Sequence, residues 1–354
     1  NYKYNKKWGG QELQLVLNKP IKLTIQITNT CNLECKHCYG NCTKSPSSQE
    51  LTKEEWLDFI DELVKNEVIQ VFFEGGEVLH RPDFLEILEY CCPKMLTWVR
   101  TNGTLITEKI AKEFKRIGVG TVCVDLMGAT EDTHDDLVGV KGSYQRAVKG
   151  IKYMVKHGVP TLMCLILNRK NANELQQYVD LAAELGVNRV GFLRLYPLGR
   201  AKHNWNELSL SLDEMMEAIQ SVRVPNNVTI MQSWHPNDGN CCWQMATVNY
   251  KGDSIGCPYL REYVNFGNIR KMSFLETWDD PLYKRLRSGN VVDYCQDCNE
   301  SQGSRGGCRS TAYAFTGRWD APDPYCVNTN KGVDLRELPE WILQETPKSP
   351  YEGC

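Results

Sequence analysis

The sequence predicts an α/β protein, a parallel sheet with helices outside it, followed by a small cysteine-rich domain. Three observations predict it. Strand-like and helix-like segments alternate six times from Ile21 onward, and six βα units in a row build a parallel sheet. The helical segments open on capping residues and close on glycines. Of the 16 cysteines, most fall in two groups, Cys31 to Cys42 and Cys241 to Cys326.

In chain order, residues 1–20 are polar and basic around Trp8-Gly9-Gly10. They form an N-terminal segment too short for a peptide-binding domain. Strands are predicted at 21–28, 68–73, 96–100, 120–126, 161–167 and 189–195 from their apolar, β-branched runs. The first helix, 52–66, opens on Thr52 and Glu55, a capping box. The second, 83–90, follows Pro82, which suits a first turn. Helices 107–117 and 143–157 carry apolar residues at helical spacing and stop at Gly118 and Gly158; 173–185 stops at Gly186. Residues 201–240 read as a polar bridge with one helical stretch near 212–222, and residues 331–354 as a polar tail ending in Cys354. Periodicity alone does not separate an open sheet from a barrel.

Composition narrows the class. A chain of 354 residues fits one large domain and a smaller one. The net charge of −3 gives no reason to expect nucleic acid or an anionic membrane as partner. There is no apolar run of membrane-spanning length and no signal pattern, so a cytoplasmic location is expected. In such a chain, abundant cysteines read as metal ligands before disulfides.

The chemistry begins at Cys31-Asn32-Leu33-Glu34-Cys35-Lys36-His37-Cys38, after the first strand. Thiolates suit iron–sulfur clusters and zinc. Three thiolates spaced CxxxCxxC hold three irons of a cubane and leave the fourth open. A zinc site more often shows paired CxxC or Cys/His units across a long gap. Glu74-Gly75-Gly76-Glu77 follows the second strand, and Thr101-Asn102-Gly103-Thr104 follows the third. Alone, a glycine pair or an Asn-Gly step is ordinary turn chemistry. One strand after CxxxCxxC, the glycine pair becomes specific.

Together these motifs resemble the signature of the radical S-adenosylmethionine (SAM) enzymes. The resemblance implies a partial (β/α)6 TIM-like barrel over residues 21–200, with its chemistry at the C-terminal ends of the strands. It implies a SAM-binding 4Fe–4S cluster on Cys31, Cys35 and Cys38, whose open iron takes the amino and carboxylate groups of SAM. An electron from that cluster then cleaves SAM to a 5′-deoxyadenosyl radical. His37 and Tyr39 would flank the cluster. Gly75, Gly76 and Glu77 would meet the SAM ammonium through backbone and carboxylate. Thr101 and Asn102 would floor the site, Asp125 would bond the ribose, and Arg194 would bind the SAM carboxylate. Plain alternatives for the last two are a loop or helix-capping aspartate and a surface salt bridge. Residues 128–134 and 142–144 resemble a stretch shared by the enzymes that modify peptides, haem precursors and quinone-cofactor precursors. His134 within it is a candidate acid or base or a local packing residue.

The last third carries Cys242, nine residues, Gly252, four residues, Cys257; then Cys295-Gln296-Asp297-Cys298, Cys308 and Cys326. This resembles the SPASM extension of radical SAM enzymes, expected over residues 241–330, which houses one or two auxiliary clusters. One cluster would use Cys241 and/or Cys242 with Cys257 and Cys308. The other would use Cys295, Cys298 and Cys326, with Ser304 where the pattern has a fourth cysteine. Serine is a harder, weaker ligand for iron. A structural zinc in place of one cluster is the alternative.

The resemblance implies hydrogen abstraction from a substrate, most often a ribosomally made peptide, ending in epimerisation, a crosslink or oxidation. The other readings are an aminoglycoside sugar or a haem or tetrapyrrole precursor as substrate, and a non-catalytic metal-binding scaffold. An electron donor such as flavodoxin or ferredoxin is implied, and a separate peptide-recognition protein is compatible. Among the thiols outside the cluster motifs, Cys123 and Cys164 fall on predicted strands, where one could donate hydrogen inside the barrel. Ordinary burial is the competing reading.

Overall fold

The computed structural model describes residues 17–234, 241–288, 306–328, 330 and 332–343. Cys295, Cys298 and Ser304 lie outside the described residues, as do most of the N-terminal segment and the end of the tail. The six predicted strands are present as β1 (Lys22–Gln26), β2 (Gln70–Glu74), β3 (Leu96–Thr101), β4 (Thr121–Asp125), β5 (Thr161–Ile166) and β6 (Arg189–Leu193). Two short strands extend the set, β7 (Thr229–Gln232) and β8 (Met245–Val248). The sheet runs β7-β6-β5-β4-β3-β2-β1-β8, with every neighbouring pair parallel.

Alternation along the strands makes two apolar layers. Val122 and Val124 of β4, with Met163 and Leu165 of β5, join the large core between sheet and helices. The intervening residues face the other way, and Cys123, Leu162 and Cys164 pack there with Phe72, Trp98 and Leu193. Both faces are therefore covered, as parallel strands require, and the fold is an open, barrel-like α/β sheet.

The helices form where capping and periodicity place them. Helix α1 (Lys53–Lys65) starts at the Thr52–Glu55 capping box and buries Trp56, Phe59, Ile60 and Leu63. Helix α2 (Phe84–Cys91) buries Ile87 and Leu88. Helix α3 (Glu108–Ile117) is capped by Thr107 and stops at Gly118, whose φ of 83° is left-handed. Helix α4 (Glu131–Val138) is short and acidic at its start, and α5 (Ser143–Lys156) follows it. Helix α6 (Leu175–Glu184) leads into β6, and the helical stretch expected near 212–222 is present as Leu212–Gln220. Among the described residues no helix is long and apolar enough to cross a membrane.

Candidate functional site

The cluster loop is fixed from several sides. Cys31 N–H donates to Thr43 O at 2.8 Å, while Glu34 and Lys36 N–H donate to Val138 and Leu137 carbonyls at the end of α4. Arg200 donates from Nε to Cys35 O and from Nη1 to Cys42 O, both at 3.0 Å. Asn204 Nδ2 caps Lys36 O at 3.0 Å. These bonds satisfy loop carbonyls that burial would otherwise leave costly. No motif pointed to Arg200 or Asn204, because each acts on backbone atoms more than 150 residues earlier in the chain.

The glycine pair has a steric cause. A Cβ on Gly76 would stand 2.2 Å from Thr30 O, and one on Gly75 would stand 2.5 Å from Thr28 O. Only glycine lets the loop after β2 lie against the residues that lead into Cys31. There Gly76 N–H donates to Thr28 O and Glu77 N–H to Thr30 O, both at 2.8 Å.

These loops enclose a cavity of about 940 Å³, mouth included, at the C-terminal ends of β2–β6. Cys31, Cys35 and Cys38 line it with His37 and Tyr39, facing Gly75, Gly76, Thr101, Asn102 and Asp125. None of the three cysteines is in a disulfide. His37 is half-buried, its Nδ1 is closed to water, and among the described residues nothing bonds to that atom. Its imidazolium is suppressed to about 3, first by burial and then by the charges of His134, Arg100 and Arg200. Three free thiols and an orphaned ring nitrogen on one concave wall fit a cubane and its ligand. Asn102 Nδ2 reaches Asn32 Oδ1 at 2.9 Å, which joins the cavity floor to the cysteine loop.

Several expected contacts are replaced by others. The Glu77 carboxylate is fully buried and is absent from the cavity wall. It accepts from Thr101 Oγ1 at 2.7 Å, Asn102 N–H at 2.8 Å and Leu79 N–H at 3.1 Å. Burial pushes it up to about 7, against which these donors pull. It thus builds the floor, and the carboxylate of the motif that lines the cavity is Glu74, itself buried, which receives Tyr39 OH at 2.7 Å and Gln26 Nε2 at 2.9 Å. Arg194 lines the cavity, yet its Nη1 is held by Asp323 at 2.9 Å rather than presented as an open fork. Asp125 lines the cavity and is itself gripped by Arg100 Nε at 2.8 and 3.1 Å. His134 is a packing residue here: its Nδ1 accepts Met127 N–H at 2.9 Å. Asn168 bonds to Ile166 O and Lys170 N–H, closing the turn after β5.

Cys123 and Cys164 pack together on the inner face of the sheet, beside Phe72, Trp98 and Leu193. They lie outside the cavity lining. The Cys164 thiol is held well above its usual range, first by the neighbouring Cys123 thiol and then by burial.

The cysteine-rich third gathers a second set. Cys242 and Cys257 are buried beside one another, and Cys308 lies within electrostatic reach of Cys242. Cys326 is buried too. Among the described residues no three His, Cys, Asp or Glu gather tightly enough to hold one metal ion; the ligands of a cubane stand further apart. Tyr259, two residues after Cys257, stacks on Tyr196 at 3.6 Å and meets the Tyr39 ring edge-on at 5.3 Å. All three tyrosines line the cavity, so the cysteine-rich domain supplies part of its wall. Sequence reasoning missed Tyr196 and Tyr259, since aromatic residues outside a motif carry no signal of their own.

A thiol-lined cavity at the mouth of a parallel barrel, walled by a second cysteine-bearing domain, defines an iron–sulfur enzyme of the α/β barrel class. Residues 25–182 match the radical SAM superfamily, and residues 241–299 match the SPASM iron–sulfur cluster-binding domain. The chain belongs to the radical SAM superfamily and carries a SPASM domain. It is 29% identical to an AdoMet-dependent heme synthase of Methanosarcina barkeri, over 88% of this chain and 97% of that one. It is 28% identical to mycofactocin maturase MftC of Mycobacterium tuberculosis, over 93% and 89%. In fold it resembles SuiB of Streptococcus suis bound to S-adenosylmethionine, with a TM-score of 0.74 at 18% identity, covering 92% of this chain and 80% of that one. SuiB bound to its precursor peptide SuiA gives 0.70 at 17% identity, covering 91% and 77%. At these identities the likeness to SuiB shows the fold alone.

Proposed function

We propose that this enzyme reductively cleaves SAM and abstracts a hydrogen atom from a ribosomally made peptide, yielding an epimerised, crosslinked or oxidised product. The carrying observation is the single cavity that unites Cys31, Cys35 and Cys38 with the glycine pair and with Tyr259 of the SPASM domain. When bound there, a 4Fe–4S cluster supplies the electron that cleaves SAM. The chain's residues hold and shield the reactants. Gly75 and Gly76 present backbone to the SAM ammonium, Thr101 and Asn102 form the floor, and Asp125 meets the ribose. Tyr39, Tyr196 and Tyr259 exclude water from the radical. Cys242, Cys257 and Cys308 would hold one auxiliary cluster, with Cys241 as a further candidate; Cys295, Cys298 and Cys326 would hold a second. Cys164, protonated and paired with Cys123, is the candidate hydrogen donor. A flavodoxin or ferredoxin would deliver the electron, and a separate recognition protein could present the peptide.

The likeness to a mycofactocin maturase supports a peptide, and the likeness to a heme synthase supports a tetrapyrrole as the second reading. The cavity's cations favour the first. Arg100 is paired with Asp125, Arg194 with Asp323, and Arg200 with loop carbonyls, which leaves little to bind the carboxylates of a tetrapyrrole. The test is anaerobic 5′-deoxyadenosine release with candidate precursor peptides, an iron porphyrin precursor and an aminoglycoside. A strong rise with a peptide alone is expected. A rise only with the porphyrin would replace the peptide reading, and no cleavage with any of them would leave a metal-binding scaffold.

A further inference from the structure

We propose that the buried Arg194–Asp323 ion pair sets the reduction potential of the auxiliary cluster on Cys308 and couples that cluster to the SAM cavity wall. The proposal rests on the auxiliary-cluster reading above.

Arg194 extends from the end of β6, and both side chains of the pair are wholly excluded from water. Its Nη1 donates to Asp323 Oδ2 at 2.9 Å and Oδ1 at 3.2 Å, and its Nε donates to Ser233 O. On its other side Asp323 receives Cys308 N–H at 2.8 Å, Thr311 Oγ1 at 2.8 Å and Tyr325 N–H at 3.0 Å. The Asp323 carbonyl accepts Cys326 N–H at 3.0 Å. One aspartate therefore touches the backbone of two candidate cluster ligands, while its counter-ion stands in the substrate cavity. Tyr325 doubles the link, with its hydroxyl on Leu195 O at 2.9 Å.

A buried ion pair is weak evidence for stability, because desolvation offsets its attraction. Its electrostatic reach is another matter. Inside a protein a unit charge is poorly screened, and the potential of an iron–sulfur cluster follows local charge and hydrogen bonding. With both members present the pair is near neutral. Removing the guanidinium takes a positive charge out of this buried site and disfavours adding an electron nearby. Without the carboxylate charge, Arg194 favours it. Arg194 and Asp323 are thus positioning residues acting through Cys308.

The test is an EPR-monitored redox titration of the full chain carrying Cys31, Cys35 and Cys38→Ala, so that only auxiliary clusters report. R194Q should lower the midpoint potential and D323N should raise it. Each shift should reach at least tenfold in the reduced-to-oxidised ratio, about 59 mV for one electron. R194K, which keeps the charge, should stay near the parent, and iron content should hold in all three. Unmoved potentials, shifts of one sign in both variants, or iron loss in R194K and D323N would overturn the proposal and leave a scaffold contact. Absence of iron from the parent itself would overturn the auxiliary-cluster reading, and this proposal with it.

Discussion

The Glu77 carboxylate receives the Thr101 hydroxyl at 2.7 Å and so locks the loop after β2 to the end of β3. With Asn102 N–H at 2.8 Å and Leu79 N–H at 3.1 Å, it satisfies three donors in a site closed to water. Glu77→Gln keeps the shape but turns an amide toward a backbone donor. The expected loss is about 1–3 kcal/mol of stability, with weaker SAM binding as Asn102 moves. Urea denaturation and calorimetric SAM titration check both; unchanged stability would show that the carboxylate carries no structural task.

The same group predicts a pH dependence. Burial raises its carboxyl from 4.5 to about 7. The folded state then holds this proton more tightly than the unfolded chain does. Its contribution to stability is complete below pH 4.5 and is lost as pH rises through about 7. Urea midpoints measured across that range should fall for the wild type, and E77Q should lack this part of the slope.

Asp125 supplies the next prediction. Arg100 holds it by two contacts at 2.8 and 3.1 Å while it borders the cavity. Asp125→Asn weakens that grip and removes the charge offered to the ribose. SAM affinity should drop about tenfold, roughly 1.4 kcal/mol, measured by anaerobic equilibrium dialysis. Equal affinity in D125N would remove Asp125 from the binding site.

Much of the barrel was legible, because parallel strands buried on both faces write long apolar runs and helix ends write caps. Strand β7 was not: its four residues Thr229–Gln232 are largely exposed and show no buried alternation. Strand β8 pairs with β1 across more than 200 residues, and local pattern holds no record of such a partner. Helix α4 hides behind an acidic first turn and a single buried face of His134, Leu137 and Val138. At the site, residue types announced the three thiols and the glycine pair. Partner choice stayed invisible. Glu77 could be read as a ligand-facing acid because nothing local shows the Thr101 hydroxyl, and Arg194 as a SAM clamp because Asp323 lies 129 residues away.

The Cys123–Cys164 pair predicts a split between two activities. Cys164 keeps its proton and so holds a transferable hydrogen atom. If the peptide product is an epimer, Cys164→Ala or Cys123→Ala should abolish it while SAM cleavage persists. Product analysis beside 5′-deoxyadenosine counts reads this directly, and full product in both single variants would assign the pair to packing alone.

Iron content separates the two auxiliary readings. Replacing Cys31, Cys35 and Cys38 with alanine removes the SAM cluster and leaves the SPASM domain to bind iron. Cys257 neighbours Cys242, and Cys308 lies within electrostatic reach of it, so at least one cluster, about four irons per chain, is expected on an anaerobic preparation. About eight irons would mean that Cys295, Cys298 and Cys326 hold a second cubane despite Ser304. Adding Cys308→Ala should then remove one cluster's worth and spare the other, because it deletes a thiolate proposed for the first cluster and leaves Cys326, proposed for the second, in place. Zinc without iron in the triple variant would overturn the cluster assignment and leave a structural metal domain on a radical SAM barrel.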